Sequence, residues 1–120
     1  MMASRNFRDL IVWRKAHAFV LGIYGLTKNF PKEERYGLTS QFRRAGVSIA
    51  ANIAEGFAKR SNRDKIRMLN IAQGSLEECR YYIILSKDLS YGYHQPLEAL
   101  SAEISKILTA CIKSLESPAP

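Results

Sequence analysis

The stretch QFRRAGVSIAANIAEGFAKRS, residues 41–61, consists almost wholly of small and apolar residues and lacks the alternation that predicts a strand. Drawn as a helix at about 100° per residue, it has one clearly apolar face. That face comprises Phe42, Ala45, Gly46, Ile49, Ile53, Gly56 and Phe57. The opposite face is also mainly apolar and comprises Val47, Ala50, Ala51, Ala54 and Ala58. A four-helix monomer cannot bury both faces, so we expect a second packing surface between copies of the chain.

The rest of the chain is divided by three clusters of proline, glycine and helix-capping residues: FPKEERYG at 30–37, KRSNR at 59–63 and SYGYHQP at 90–96. They separate four segments with helical periodicity, at about residues 9–29, 38–58, 62–90 and 96–116. Ser61 is placed to cap the third segment, and Pro96 to occupy the first turn of the fourth. Four helices with short connections predict an all-α fold: a single-domain, antiparallel up-down-up-down four-helix bundle.

Each of the other three segments also presents an apolar face for the core of such a bundle. In the first it comprises Val12, Ala16, Phe19, Val20, Ile23 and Thr27. In the third it comprises Met68, Leu69, Ala72, Leu76, Cys79, Ile83 and Leu89, and in the fourth Leu97, Leu100, Ile104, Ile107, Cys111 and Leu115. The wheel places Leu10, Leu21 and Leu26 away from the core face of the first segment, which again indicates a second packing surface.

Composition indicates an ordinary globular protein. Charged residues make up 24% and apolar residues 47% of the 120, and no apolar run approaches the roughly 20 residues of a membrane span. The start, MMASRNFRDL, lacks the apolar core and small-residue cleavage site of a secretory signal. We therefore expect a cytoplasmic protein with no membrane partner, in which Cys79 and Cys111 stay reduced.

The sequence contains no motif that predicts catalysis or a metal. A di-iron bundle needs Glu-x-x-His on two helices, but the two histidines, His17 and His94, follow Arg14 and Tyr91 at that spacing. The two cysteines lie on different helices and pair with neither histidine, and no Gly-rich phosphate loop occurs. We expect no catalytic residues, no cofactor, no metal site and no enzymatic activity.

Positive charge is concentrated in one half of the chain. Residues 1–67 hold 14 Lys and Arg against 5 Asp and Glu, whereas residues 68–120 hold 4 against 6. In the predicted bundle, the start of the first helix and the turn between the second and third helices share one end, here called the basic end. Its cationic residues are Arg5, Arg8, Lys59, Arg60, Arg63, Lys65 and Arg67.

The basic end predicts RNA or DNA as a partner. No aromatic cluster accompanies its charges, so we expect contact with the phosphate backbone and little sequence readout. At the other end, Lys28, Lys32 and Arg35 are offset by Glu33, Glu34 and Asp88. The alternative is a solvated region on a structural or protein-interaction scaffold that has no nucleic-acid role.

Polar residues on the second helix fit an interface between copies of the chain. Arg44 and Glu55 lie on nearly one line of the helix, with Ser48 and Asn52 between them, and small residues at Gly46, Ala50 and Ala54 would let another helix approach closely. Glu77 and Glu78 are candidate carboxylate partners for Arg43 and Arg44. The predicted interface comprises Arg43, Arg44, Val47, Ser48, Ala51, Asn52, Ala54 and Glu55. The alternative is an alanine-rich helix of high propensity.

Three stretches resemble a known family: FRDLIVWRKAHAF (7–19), FPKEERYGLTSQFRRAGVSIAANIAEGFAKRS (30–61) and IAQGSLEE (71–78). They are similar to the four-helix-bundle proteins encoded in intervening sequences of bacterial large-subunit (23S) ribosomal RNA genes, and the likeness covers about residues 7–116. The chain departs from the family pattern at Gly46 and Ala50, where alanine and proline are more usual.

The resemblance implies a bundle that assembles into a barrel-like homo-pentamer. It also implies kinship in fold with the accessory protein of diversity-generating retroelements, which binds nucleic acid. It implies no enzymatic activity.

Overall fold

Four α-helices make up the protein in a computed structural model that describes residues 6–117. They are α1 (Ile11–Thr27), α2 (Leu38–Ala58), α3 (Asn62–Asp88) and α4 (Gln95–Glu116). Single turns of 3₁₀ helix at Phe7–Asp9 and Lys32–Glu34 precede α1 and α2. The helix ends differ from the predicted ones by at most two residues, and the described part of the chain contains no strand.

Local sequence explains where the helices begin. The Ser61 hydroxyl accepts a hydrogen bond from the Asp64 backbone N–H at 3.1 Å, which caps α3 as predicted. Pro96 lies in the first turn of α4. Backbone N–H groups in the first turn have no intrahelical acceptor, so proline costs the helix no hydrogen bond there. At the start of α2, Glu34 Oε1 accepts from the Leu38 N–H at 3.1 Å.

The helices form an antiparallel four-helix bundle, which confirms the predicted fold class. α2 packs on α1 and α3, and α4 packs on α3 and returns to α1, whereas the backbones of the diagonal pairs stay farther apart among the described residues. An ion pair of 2.6 Å between Lys15 and Glu103 closes the bundle across α1 and α4. The molecule measures 52 × 22 × 21 Å, so the helices run along a rod and their connections lie at its two ends.

The core runs the length of this rod. All six residues of the predicted α1 face are buried, as are all of the predicted α2 face except Phe57, which is half-buried. The largest fully buried side chains are Phe19, Ile23, Phe42, Ile49, Ile53, Leu76, Ile83, Ile104 and Leu108.

Some predicted faces were wrong. Leu10 and Leu26 pack against the core, so only Leu21 of the three outlying leucines is exposed. Leu89 was expected in the core but is 45% exposed, because α3 ends at Asp88. Tyr82 and Ser86 are buried on α3 in its place.

No helix within residues 6–117 combines the length and the apolar character that crossing a membrane requires.

Candidate nucleic-acid interface

The basic end brings together the start of α1, the end of α2, the start of α3 and the end of α4. The side-chain amide of Asn62 donates to the Leu115 carbonyl at 3.2 Å, which ties the start of α3 to the end of α4. The turn Phe7–Asp9 packs on both α1 and α2. The predicted cationic residues on these segments therefore share one end, except Arg5, which lies outside the described residues.

Four arginines at this end point into solvent. Arg8, Arg60, Arg63 and Arg67 are exposed, and in the described part of the chain no carboxylate forms an ion pair with any of them. Arg63 and Arg67 lie in a surface depression of about 770 Å³ at the start of α3. The other lining residues are Ser61, Asp64, Ile66, Asn70 and Ile71. The depression therefore holds two guanidinium groups, one carboxylate and no aromatic ring.

The two predicted lysines at this end have structural contacts that the sequence did not reveal. Lys65 Nζ donates to the carbonyls of Phe57 at 2.9 Å and Gly56 at 3.4 Å, and it lies 5.6 Å from the Phe57 ring. Lys65 thereby donates to the Phe57 carbonyl in the last turn of α2, and it shares the Gly56 carbonyl with the backbone N–H of Lys59. Lys59 lies 3.8 Å from Glu55 Oε2. Both lysines therefore already have partners within the chain, unlike the four arginines.

Part of the predicted interface lies on the outer face of α2. Arg44, Ala51 and Glu55 are exposed, Val47 is 44% exposed and Ala54 is half-buried. These residues form a solvent-facing strip of small and apolar side chains with a charge of each sign. Their contact with a second copy of the chain stays a prediction.

The other predicted interface residues hold α2 to its own bundle. Arg43 Nε donates to Thr27 Oγ1 at 2.8 Å, and its guanidinium group lies 4.5 Å from the centre of the Tyr24 ring on α1. On the other flank, Asn52 Nδ2 donates to Ser48 Oγ at 3.0 Å, and Ser48 Oγ lies 2.8 Å from Ser75 Oγ on α3. These three polar residues therefore have partners within the chain.

One expectation about the small residues of α2 was wrong. Gly46 and Ala50 do not face outward: Gly46 is buried, a Cβ added there would lie 2.6 Å from Ile23 Cδ1, and Ala50 packs against the core. The expected pairing of Glu77 and Glu78 with Arg43 and Arg44 belongs to an interface between copies and stays a prediction; within the chain, neither glutamate pairs with these arginines. Glu77 instead binds Arg80 at 3.0 Å, and Glu78 accepts from the Tyr82 hydroxyl at 2.6 Å.

A second cationic site, which the sequence analysis missed, lies at the opposite end of the bundle. A cleft of about 490 Å³ is lined by Tyr24 of α1, Arg35 and Tyr36 of the connection, and the first part of α2. The α2 residues are Thr39, Ser40, Arg43, Arg44 and Val47. We call this the tyrosine–arginine cleft. Arg-Tyr at 35–36 and the adjacent arginines at 43–44 were the available sequence signals, but only the fold brings them together.

The cysteines are free thiols. Burial, with a smaller effect of Glu78, raises the pKa of Cys79 to about 12, and burial raises the pKa of Cys111. The buried thiol of Cys79 is therefore protonated at neutral pH, which is unfavourable for a nucleophile. Residues 6–117 contain no group of three His, Cys, Asp or Glu side chains placed to hold a metal ion.

Comparison with known proteins assigns the family. A crystal structure described as a protein of unknown function from the S23 ribosomal protein family of Bacteroides thetaiotaomicron superposes with a TM-score of 0.76 at 30% sequence identity, over 86% of this chain and 99% of that one. A comparison with curated proteins gave no match. Residues 8–113 match the sequence model of the family described as 23S rRNA-intervening sequence protein. The chain therefore belongs to the 23S rRNA-intervening sequence protein family.

Proposed function

We propose that the protein is a non-enzymatic homo-oligomer that binds RNA or DNA through its basic end. The observation that supports this proposal is the set of four exposed arginines there, Arg8, Arg60, Arg63 and Arg67, without carboxylate partners among the described residues. An arginine that forms no ion pair within the protein is available for bidentate contact with a phosphate.

The arrangement favours contact with the phosphate backbone over recognition of bases. The depression beside Arg63 and Arg67 contains no aromatic ring on which a base could stack. It lies at the start of α3, where the helix dipole adds a partial positive charge, although Asp64 opposes it. Binding should therefore depend strongly on salt and weakly on sequence.

Self-association would strengthen this binding. In a ring whose subunits point the same way, the basic ends would share one rim and their potentials would add.

The test is a salt titration of nucleic-acid binding with two variants of equal charge. The triple variant Arg60→Ala, Arg63→Ala, Arg67→Ala removes three exposed cations from the basic end. The control Lys28→Ala, Lys32→Ala, Lys87→Ala removes three exposed cations outside it and changes the net charge equally. Binding of a fluorescein-labelled 20-base-pair duplex is measured by anisotropy between 50 and 200 mM salt.

We expect the wild-type affinity to fall steeply with salt. The arginine variant should flatten the log–log slope by about 2.7 if all three side chains contact phosphates, at about 0.9 each, whereas the lysine control should keep most of the slope. If the two variants flatten the slope equally, binding depends on the net charge of the protein and not on the basic end. Absence of wild-type duplex binding at 50 mM salt would leave the scaffold function as the better interpretation.

A further inference from the structure

We infer that the tyrosine–arginine cleft binds unpaired nucleotides of a single-stranded nucleic acid, with a base stacked on Tyr36 and a neighbouring phosphate on Arg35. This extends the proposed function to a second site and a different form of nucleic acid. The cleft lies at the start of α2 and the basic end at its end, so the 21 residues of the helix separate the two sites by about 30 Å.

The charge of the cleft favours an anion. Its lining contains three arginines, Arg35, Arg43 and Arg44, and no carboxylate, and none of the three forms an ion pair with a described residue. Glu34, beside the cleft in sequence, is engaged elsewhere: Oε1 accepts from the Leu38 N–H and Oε2 accepts from the Tyr91 hydroxyl at 2.9 Å. Glu33 lies two residues before Arg35 but does not line the cleft, so the lining itself carries three positive charges without a carboxylate partner among the described residues.

The aromatic rings distinguish this cleft from the basic end. Tyr36 is 85% exposed, and the Arg35 guanidinium group lies 5.1 Å from its ring centre. A cation over one face of the ring leaves the other face for a nucleobase, and stacking of this kind tolerates any base. Because such high exposure gives Tyr36 little part in the core, its ring is available for a ligand.

The rest of the cleft is held in place before any ligand binds. Arg43 is fixed by its hydrogen bond to Thr27 and by the Tyr24 ring 4.5 Å away. Thr39 is buried, and its hydroxyl has no hydrogen-bond partner among the described residues. Contacts within the chain therefore fix Arg43 and Thr39 before any ligand binds.

Size and chemistry both favour an unpaired strand over a duplex. About 490 Å³ falls within the range of roughly 300–1,000 Å³ found for small-molecule pockets, which suits a nucleotide. A base inside a duplex is stacked between its neighbours and cannot reach a tyrosine ring without unpairing, which costs a few kcal/mol. A single strand presents its bases freely.

The test compares single-stranded and duplex binding for variants of Tyr36. The probes are fluorescein-labelled 12-nucleotide oligothymidine and a labelled 12-base-pair duplex, measured by anisotropy at 50 mM salt. We expect Tyr36→Ala to weaken oligothymidine binding by about 5- to 100-fold, the usual range for loss of one stacking ring, and to change duplex binding less than 2-fold. Tyr36→Phe should retain the wild-type affinity. The matched control is Tyr81→Ala, which removes a 56% exposed tyrosine of α3 outside the cleft.

Several results would overturn the inference. The inference is wrong if Tyr36→Ala binds oligothymidine with the wild-type affinity. It is also wrong if the variant loses affinity for oligothymidine and for the duplex by the same factor. A lower oligomeric mass of Tyr36→Ala by light scattering, with an unchanged preference for single strands, would show that the cleft instead contacts a second copy.

The two proposals fail separately. If the triple arginine variant of the basic end loses duplex binding while Tyr36→Ala behaves as wild type, the proposed function holds and the cleft inference is wrong. If Tyr36→Ala loses oligothymidine binding while the triple arginine variant binds duplex as wild type does, the cleft inference holds and the proposal for the basic end is wrong.

Discussion

At the scale of single residues, Tyr82 shows how a buried polar group makes stability depend on pH. Its side chain is buried, its ring centre lies 5.6 Å from that of Phe42, and its hydroxyl donates to Glu78 Oε2 at 2.6 Å. Burial first, and then the hydrogen bond to Glu78, raises the pKa of Tyr82 from 10.0 to about 12. The folded protein therefore holds this proton more tightly than the unfolded chain does.

We predict that Tyr82→Phe lowers the free energy of unfolding by about 1.5–3 kcal/mol at pH 7, the usual net value of a hydrogen bond to a charged group. The folded pKa lies above the unfolded one, so the stabilisation is complete below pH 10 and is lost as the pH rises from 10 toward 12. The difference between wild type and Tyr82→Phe should accordingly shrink over that interval, as measured by urea unfolding from pH 7 to 12. Tyr81→Phe, at an exposed position, serves as the control, and a difference that does not change with pH would contradict the prediction.

At the scale of helices, α1 and α2 approach closely because Gly46 has no side chain. A Cβ there would meet Ile23 Cδ1 at 2.6 Å, and Ile23 is fully buried and cannot move into solvent. The glycine is therefore matched to the particular side chain that α1 presents.

This match predicts an energetic coupling between Gly46 and Ile23. Gly74 lies in α3 with no atom within 4 Å of an added Cβ, so Gly74→Ala should stabilise by about 0.5–1 kcal/mol through helix propensity. Gly46→Ala should not stabilise the protein in this way, because the added methyl group overpacks the contact with Ile23. Ile23→Val removes Cδ1, and in that background Gly46→Ala should stabilise again, with a coupling of about 0.5 kcal/mol or more. Urea unfolding at one fixed protein concentration measures the wild type, the three single variants and the double variant. Equal gains for Gly46→Ala and Gly74→Ala in the wild type would refute the coupling.

Helical periodicity was enough to predict the fold but not every buried face. The α1 face was predicted completely, because Val12, Phe19, Ile23 and their neighbours repeat at regular spacing before Pro31 ends the helix. On α4 the periodicity missed Leu108, which is fully buried, and selected Leu100, which is half-buried. A stripe of apolar residues gives the direction of the core only within some tens of degrees; packing against the neighbouring helices decides the final rotation.

The residues of the basic end were also predictable only in part. Topology alone brings Arg8 to the turn that carries Arg60 and Arg63. That Lys65 binds the carbonyls of Phe57 could not be predicted, because this depends on the angle between α2 and α3. The tyrosine–arginine cleft was missed because it combines residues of α1, a connection and α2, and the periodicity of one helix does not place a connection beside it.

At the scale of the whole molecule, the outer face of α2 is the surface on which the proposed self-association rests. Val47 and Ala51 are exposed there, and the nearby polar residues Ser48 and Asn52 are occupied within the chain. What remains facing solvent is a strip of small side chains between Arg44 and Glu55. A stable interface of standard size buries about 1,200–2,000 Å² in total, so this strip would form its centre and not its whole extent.

We predict that Ala51→Glu lowers the oligomeric mass. A glutamate buried at a helix–helix interface without a cationic partner costs several kcal/mol, enough to weaken association by about 100-fold or more. Ala99→Glu is a matched control, since Ala99 is an exposed alanine of α4 and lies four residues before Glu103, as Ala51 lies four residues before Glu55. Both variants thus add the same charge next to the same kind of neighbour on a helix surface.

Light scattering after size exclusion measures the outcome, and circular dichroism checks that both variants stay helical. We expect a wild-type mass of several chains, five by the family resemblance, a smaller mass for Ala51→Glu, and the wild-type mass for Ala99→Glu. If Ala51→Glu keeps the wild-type mass, the subunits do not meet through this face of α2. If the wild-type protein has the mass of a single chain, the exposed strip is only the outer side of an alanine-rich helix, and any nucleic acid would meet one basic end at a time.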